Sequence, residues 1–322
     1  MSALHPSNEH PRVYILGGGA VGMALAVSLS LAGREVCLVR IRKQAAPTSE
    51  WQTVTLTDGH EGHHEVELRV MSLDALEVLD GLIVVTAKAH ANAAIADALA
   101  TKQVRGKIVI MQNGLGVEAA WASLKVEAIY RCVLYVTGQK ASENEVLFRF
   151  VASSPIGLAR GTATGLEEAV AALHTPIFPF HVEDKILEQI WSKTILNAVF
   201  NSICPLLDAD NGIFVRDAQV LELGRQIVGE CLVLARCYGV SLTEAALMER
   251  LLAISQGSKG VLISTLQDLR CGRQTEMQHL NLELARLAEA AHPPVDLGRT
   301  SLLGRLVLAK SRVMESERQR AR

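Results

Sequence analysis

The run Gly17-Gly18-Gly19-Ala20-Val21-Gly22 constrains this chain more than any other stretch. It follows Arg12 to Leu16, apolar after its first residue, and leads into Met23 to Ala32, apolar on nearly every side. That order predicts a strand, a tight turn and a buried helix. Gly17, Gly19 and Gly22 then fill G-x-G-x-x-G in the one context that gives the motif meaning. The first glycine permits the turn, the second lets a pyrophosphate approach the backbone, and the third lets the helix pack closely. The helix N-terminus adds N–H groups and the positive end of its dipole. Gly33 suits the position past the helix end, and Glu35 to Val39 supplies the second strand of a dinucleotide-binding unit. Val13 to Gly33 is also 21 residues without a charge, which length alone would assign to a membrane span. Three consecutive glycines and the strand-then-helix pattern argue instead for a buried α/β core.

The tip of the second strand selects the dinucleotide. A bare ribose asks for an Asp or Glu there, and a 2′-phosphate asks for an arginine. The strand runs into Arg40-Ile41-Arg42-Lys43 with no acid at its tip. NADP(H) is therefore the expected cofactor, with Arg40 and Arg42 the two candidates for its phosphate.

At 322 residues, 49% of them hydrophobic, the chain can fill two ordinary cores. A formal net charge of −2 gives no footprint for nucleic acid or an anionic membrane, so a small molecule is the expected partner. Cys37, Cys132, Cys204, Cys231, Cys237 and Cys271 form no C-x-x-C pair and read as reduced residues of a cytoplasmic protein. Met1 to Pro11 is polar, without the apolar segment of a secretory signal, and reads as a disordered tail over 1–11. His60, His63 and His64 lack the companions that a metal site requires, so no metal is expected.

Farther along, Trp51 to Val70 alternates as a strand pair, and Ser72 to Asp80 reads as helical. Leu82 to Thr86 and Lys107 to Met111 are continuous apolar strands that end in Lys88 and in Gln112-Asn113-Gly114. Apolar strands alternating with helices imply an α/β Rossmann-type domain with a parallel sheet covered on both faces. Ligands in such sheets lie beyond the carboxyl ends of the strands, so Lys88 and Asn113 join the glycine loop on one edge. Tyr130 to Val136 and Val146 to Val151 are further expected strands, Ser153-Ser154-Pro155 a break, and Leu166 to Leu173 a helix. Beyond His181 nearly everything is helical. The expected domains are a Rossmann domain over 12–180 and an all-α substrate and catalytic domain over 181–322.

That helical part opens with a second signal. Leu187 to Leu207 is mostly apolar, yet Lys193, Asn197 and Asn201 recur at i, i+4 and i+8 as one polar stripe on a buried helix. Each unpartnered buried amide costs on the order of 1–3 kcal/mol, and a charge costs more, so the stripe points to a ligand. Asn211-Gly212 is a turn or a further polar contact. Val261 to Arg270 reads as an amphipathic helix presenting Ser264, Gln267 and Asp268, closed by Gly272. A new helix is expected near Gln274-Thr275, with Glu276 in its first turn.

These pieces resemble the ketopantoate reductase family, the 2-dehydropantoate 2-reductases. The matching residues are the 17–22 loop, Thr86-Ala87-Lys88-Ala89, Asn113-Gly114-Leu115-Gly116, Lys193 with Asn197 and Asn201, Asn211-Gly212, and Ser264 through Gln267-Asp268 to Thr275-Glu276. The resemblance implies NADPH-dependent reduction of 2-dehydropantoate to pantoate, a step towards pantothenate and coenzyme A, with Lys193 as proton donor. It further implies that Asn113, Asn197, Asn201, Asn211 and Ser264 hold the substrate, and that Glu276, Asn113 and Lys88 serve the cofactor. A homodimer is compatible with it. Val151-Ala152-Ser153-Ser154-Pro155, Asn281-Leu282 and Pro294-Val295-Asp296 depart from the family pattern. They leave room for a related reductase of another 2-keto acid. A non-catalytic NADP-binding sensor is the remaining alternative, and it would have no use for the complete stripe.

Overall fold

The computed structural model describes residues 10–41, 46–59 and 62–320. Two compact units emerge: one takes the chain through Gln112 and Val117–Ile186, the other takes Asn113–Gly116 and the chain from Leu187 onward.

The first unit is built on one sheet. Its strands are β1 (Val13–Leu16), β2 (Val36–Arg40), β3 (Ser49–Asp58), β4 (His63–Ser72), β5 (Val78–Val85), β6 (Gln103–Ile110), β7 (Ala128–Cys132), β8 (Val136–Lys140), β9 (Glu145–Phe150), β10 (Ser154–Gly161) and β11 (Phe180–Val182). They lie in the order β11-β10-β7-β6-β5-β1-β2-β4-β3-β9-β8. From β7 to β4 all neighbours are parallel, and antiparallel pairs flank that centre. Side chains of β1 divide by parity. Val13 and Ile15 join the core under α1 (Ala20–Leu31) and α3 (Leu166–Leu173), while Tyr14 and Leu16 join the core under α2 (Asn92–Ala100). Both faces are thus covered, as a parallel sheet demands. The α1 helix also contacts β3, β4, β8 and β9, so the far side of the sheet curls over it. The uncharged 13–33 segment is therefore a buried strand and helix, and among the described residues no helix is long and apolar enough to cross a membrane.

Several local expectations are corrected. In place of a helix over 72–80, a short 3-10 turn at Leu73–Ala75 leads directly into β5, because Val78 to Gly81 pairs with Gln103 to Gly106 and buries Leu79 completely. The expected strand 130–136 is two strands, β7 and β8. At the break between them, Val133 N–H bonds Pro155 O and Tyr135 N–H bonds Ser154 Oγ. Pro155 does not interrupt β10. It is the second residue of that strand and lies just past the last pair with β7, Ile156 beside Cys132. The short strand β11 pairs with β10, and the sheet unit runs to Ile186. Nearly all of the expected tail over 1–11, together with Arg42 and His60, lies outside the described residues.

The second unit comprises α4 (Ile186–Leu207), α5 (Ile213–Arg216), α6 (Ala218–Cys237), α7 (Glu244–Gly257), α8 (Ser264–Cys271), α9 (Asn281–Ala290) and α10 (Gly298–Arg320). Helix α4 is its axis. A Cβ on Gly224 of α6 would lie 3.2 Å from Val199 Cγ1, which is why a glycine lets the two helices approach. Arg250 of α7 donates to Ser192, Asn281 of α9 to the Ala198 carbonyl, and Lys310 of α10 to the Pro205 carbonyl. Gly272 ends α8 in the left-handed conformation at φ 67°, as its type predicts. The helix expected from Gln274 begins only at Asn281. Glu276 stands ahead of a 3-10 turn, Met277–His279, and not within an α-helix.

Candidate active site

In the first unit the carboxyl edge of the sheet is shaped by the glycine loop. Gly17 N–H bonds Val39 O, while Thr86 and Ala87 both donate their N–H to Leu16 O. The Thr86 hydroxyl donates to Gly17 O at 3.0 Å. Gly17 sits at φ 134°, where a Cβ would fall 2.6 Å from Ala87 N. A Cβ on Gly22 would collide with the Gly17 carbonyl and with Thr86 Oγ1. By contrast, a Cβ on Gly18 or Gly19 would meet nothing within 4 Å. Gly19 caps α1 and provides no side-chain hydrogen bond to the first turn, so those N–H groups can serve an anion. Two glycines close the loop on the sheet, and two keep its outer side bare. A dinucleotide pyrophosphate fits this cradle, with Ala20 and Val21 opening the helix beneath it.

Lys88, Arg40 and Asn113 were expected on this edge, but Asn113 is grouped with the second unit. Lys88 is exposed and caps the 3-10 turn Ala89–Ala91. Arg40, at the end of β2, donates to Gln52 Oε1 (2.8 Å) and Glu50 Oε1 (3.3 Å). Sequence reading missed the amide pair that holds the tips of β5 and β6. Asn92 Nδ2 donates to Gln112 Oε1 (2.8 Å) and Gln112 Nε2 to Asn92 Oδ1 (2.6 Å). Gln112 Nε2 also donates to Ala87 O, and Asn92 Nδ2 to Val117 O. Twenty residues separate the partners, and no local pattern connects them.

In the second unit the expected stripe stands out by exposure. From Ile190 to Pro205 every residue of α4 is buried except Lys193 and Asn197. Asn201, two turns on, is buried, and its Oδ1 accepts from Thr265 Oγ1 (2.8 Å), Thr265 N–H (3.4 Å) and Ser264 Oγ (3.3 Å). Asn201 and Ser264 are thus brought together, and Thr265, unremarkable in the sequence, fixes the amide. The loop after α4 delivers Asn211. Its N–H bonds Val261 O, its carbonyl accepts from Ser255 Oγ at 2.8 Å, and its side-chain Oδ1 is buried without a hydrogen bond. Thr275 Oγ1, next to Glu276, is likewise buried and unbonded. An unbonded buried polar atom costs about 1–3 kcal/mol, and Asn281 Oδ1 in the same unit is buried and unbonded as well. The 113–116 segment lies against this unit, where a Cβ on Gly114 would strike the His279 carbonyl and one on Gly116 would lie 2.6 Å from Glu283 Oε1. Asn113 therefore shares a unit with Lys193, Asn197, Asn201, Asn211, Ser264 and Glu276.

Among the described residues no group of three or more His, Cys, Asp or Glu could hold a metal ion. His64 instead pairs with Asp58 at 3.1 Å.

Two family profiles match the chain in sequence order. Ketopantoate reductase PanE/ApbA covers residues 13–160, and its C-terminal counterpart covers 185–309. The chain belongs to the ketopantoate reductase family. A relative from Archaeoglobus fulgidus, named 2-dehydropantoate 2-reductase, is 26% identical over 90% of this chain and 95% of its own length. Two solved structures have the same fold. Dimeric ketopantoate reductase from Staphylococcus aureus is 20% identical with a TM-score of 0.77, and covers 94% of this chain and 99% of its own. D-mandelate dehydrogenase with NADH and anilino(oxo)acetate is 19% identical with a TM-score of 0.80 and the same coverage. The Rossmann-type fold with a helical C-terminal part is thus common to family and chain.

Proposed function

We propose that this member of the family reduces 2-dehydropantoate to pantoate with NADPH. The observation that carries the reading is the pair of openings, Lys193 and Asn197, in an otherwise buried α4. When bound, the nicotinamide supplies a hydride to C2 of the keto acid. Lys193 donates a proton to the carbonyl oxygen, which gains negative charge as the transition state forms. A cationic donor stabilises that charge, and general acids of this kind contribute about 10²–10⁴-fold. Asn197, Asn201, Ser264 and Asn211 hold the carboxylate and hydroxyl of the acid. Asn113 serves both substrate and cofactor. The 17–22 loop receives the pyrophosphate, Arg40 the 2′-phosphate, and Lys88 and Glu276 other parts of the cofactor. The protein acts in the cytoplasm and, like its Staphylococcus aureus relative, as a dimer.

The test is NADPH oxidation followed at 340 nm (the usual nicotinamide absorbance) across a panel of 2-keto acids. Ketopantoate turns over preferentially, and Lys193→Ala binds NADPH yet loses about 10²-fold or more of its turnover. Wild-type turnover by that variant would remove Lys193 from the mechanism. A second reading, another bulky 2-keto acid, is favoured by the departures at 151–155, 281–282 and 294–296. The same panel discriminates it.

A further inference from the structure

Arg40 is engaged on the sheet edge, and its partners include acids. Register explains how they meet. Strand β4 runs parallel to β2 with Val70 beside Leu38 and Ser72 beside Arg40. Strand β3 returns antiparallel with Glu50 beside Val70 and Gln52 beside Leu68. The N-terminal end of β3 therefore arrives at the carboxyl edge, and Glu50, Gln52 and Arg40 project from the face that also carries Leu38 and Val70. Those two belong to the core under α1, so the cluster shares face and edge with the glycine loop. There the three side chains close a circuit. Arg40 Nη2 donates to Gln52 Oε1 at 2.8 Å, Gln52 Nε2 donates to Glu50 Oε1 at 2.6 Å, and Arg40 Nη1 donates to that same Glu50 oxygen at 3.3 Å. Glu143, on the turn before β9, brings a second carboxylate to 3.9 Å from Arg40 Nη2.

We propose that Glu50 is a specificity-determining residue, holding Arg40 in competition with the 2′-phosphate and so setting the preference of this enzyme between NADPH and NADH. The inference rests on the reading of Arg40 as the phosphate partner. A phosphate carries about −1.5 to −2 charges near neutral pH. To reach Arg40 it must displace Glu50 or sit beside it, and either route loses attraction. A bare ribose leaves the Arg40–Glu50 pair intact and finds a carboxylate on the edge where a 2′-hydroxyl asks for one. Half-exposed ion pairs are weak enough to open, so the pair biases the choice without forbidding NADPH. The expected behaviour is acceptance of both dinucleotides, with a preference that one charge can move.

The experiment is calorimetric titration of NADPH and NADH into the wild type, Glu50→Gln and Arg40→Ala at two ionic strengths, with circular dichroism to verify folding. Glu50 is half-exposed on its strand, so its amide fits without repacking. In Glu50→Gln the ratio of NADPH to NADH affinity rises about five- to tenfold at low salt. The rise shrinks at high salt, as a charge effect must and a shape effect need not. An unchanged ratio, while Arg40→Ala still weakens NADPH, overturns the role of Glu50 alone. Unaltered NADPH affinity in Arg40→Ala overturns the phosphate assignment and the inference with it.

Discussion

Asp210 organises the loop that presents Asn211. Its carboxylate accepts from the N–H groups of Gly212 (2.9 Å) and Gly260 (2.8 Å) and from both Arg216 nitrogens. The Arg216 hydrogen bond, helped by those two N–H groups, holds the Asp210 carboxyl below its ordinary value. A depressed folded pKa means that this stability is present above the unfolded value, near about 4, and is lost as pH falls through the folded one. Thermal melts from pH 6 to pH 3 should therefore show a fall below about pH 4 in the wild type. Asp210→Asn should be less stable near neutrality and lose less on acidification. A parallel pH profile for the two proteins would exclude this role. At this scale the sequence was informative where spacing is local. Lys193, Asn197 and Asn201 are legible because a helix repeats every 3.6 residues. Thr265 and the Asn92–Gln112 pair are not, since distant elements bring them to their partners. Glu50 was invisible for the same reason: Arg40 was read with its chain neighbours, and the acid comes from another strand.

The element that carries the cofactor argument is the turn into α1, where the glycines separate into two kinds. Gly22→Ala forces a methyl against the Gly17 carbonyl and Thr86 Oγ1. It should destabilise the protein by about 1–3 kcal/mol in denaturant unfolding. Gly19→Ala, which meets nothing within 4 Å and has φ −79°, should leave stability nearly unchanged and weaken NADPH binding at least several-fold. Equal loss of stability in both variants would mean that the loop is structural throughout. Helices α3 and α4 were legible from apolar runs and their breakers. The start of β5 was not, because pairing with β6 overrides a weak helical pattern in Leu73 to Asp80. The break between β7 and β8 was hidden in a continuous apolar run, whose hydrophobicity says nothing about which neighbours each half will find.

Across the whole molecule the six cysteines divide by burial. Cys37, Cys132, Cys204 and Cys231 are buried, while Cys237 and Cys271 are exposed. Desolvation pushes the Cys37 thiol up to about 11, and those of Cys204 and Cys231 to about 12. A thiol reagent at pH 8 should therefore titrate two groups in the native protein and all six in denaturant. More than two fast-reacting thiols would mean that a core opens readily. The change from alternating strands and helices to helices alone was legible in the order of apolar runs. The assignment of 113–116 to the helical unit was not, since four residues inside a sheet sequence carry no mark of where they rest. The crowding around α4 also bears on descent. With every residue from Ile190 to Pro205 buried but Lys193 and Asn197, most changes of side-chain size there would disturb the packing of the helix. On the proposed reading, the proton donor Lys193 and two residues that hold the acid, Asn197 and Asn201, share this one helix, so a lineage that keeps the reaction keeps part of its grip on the acid with it.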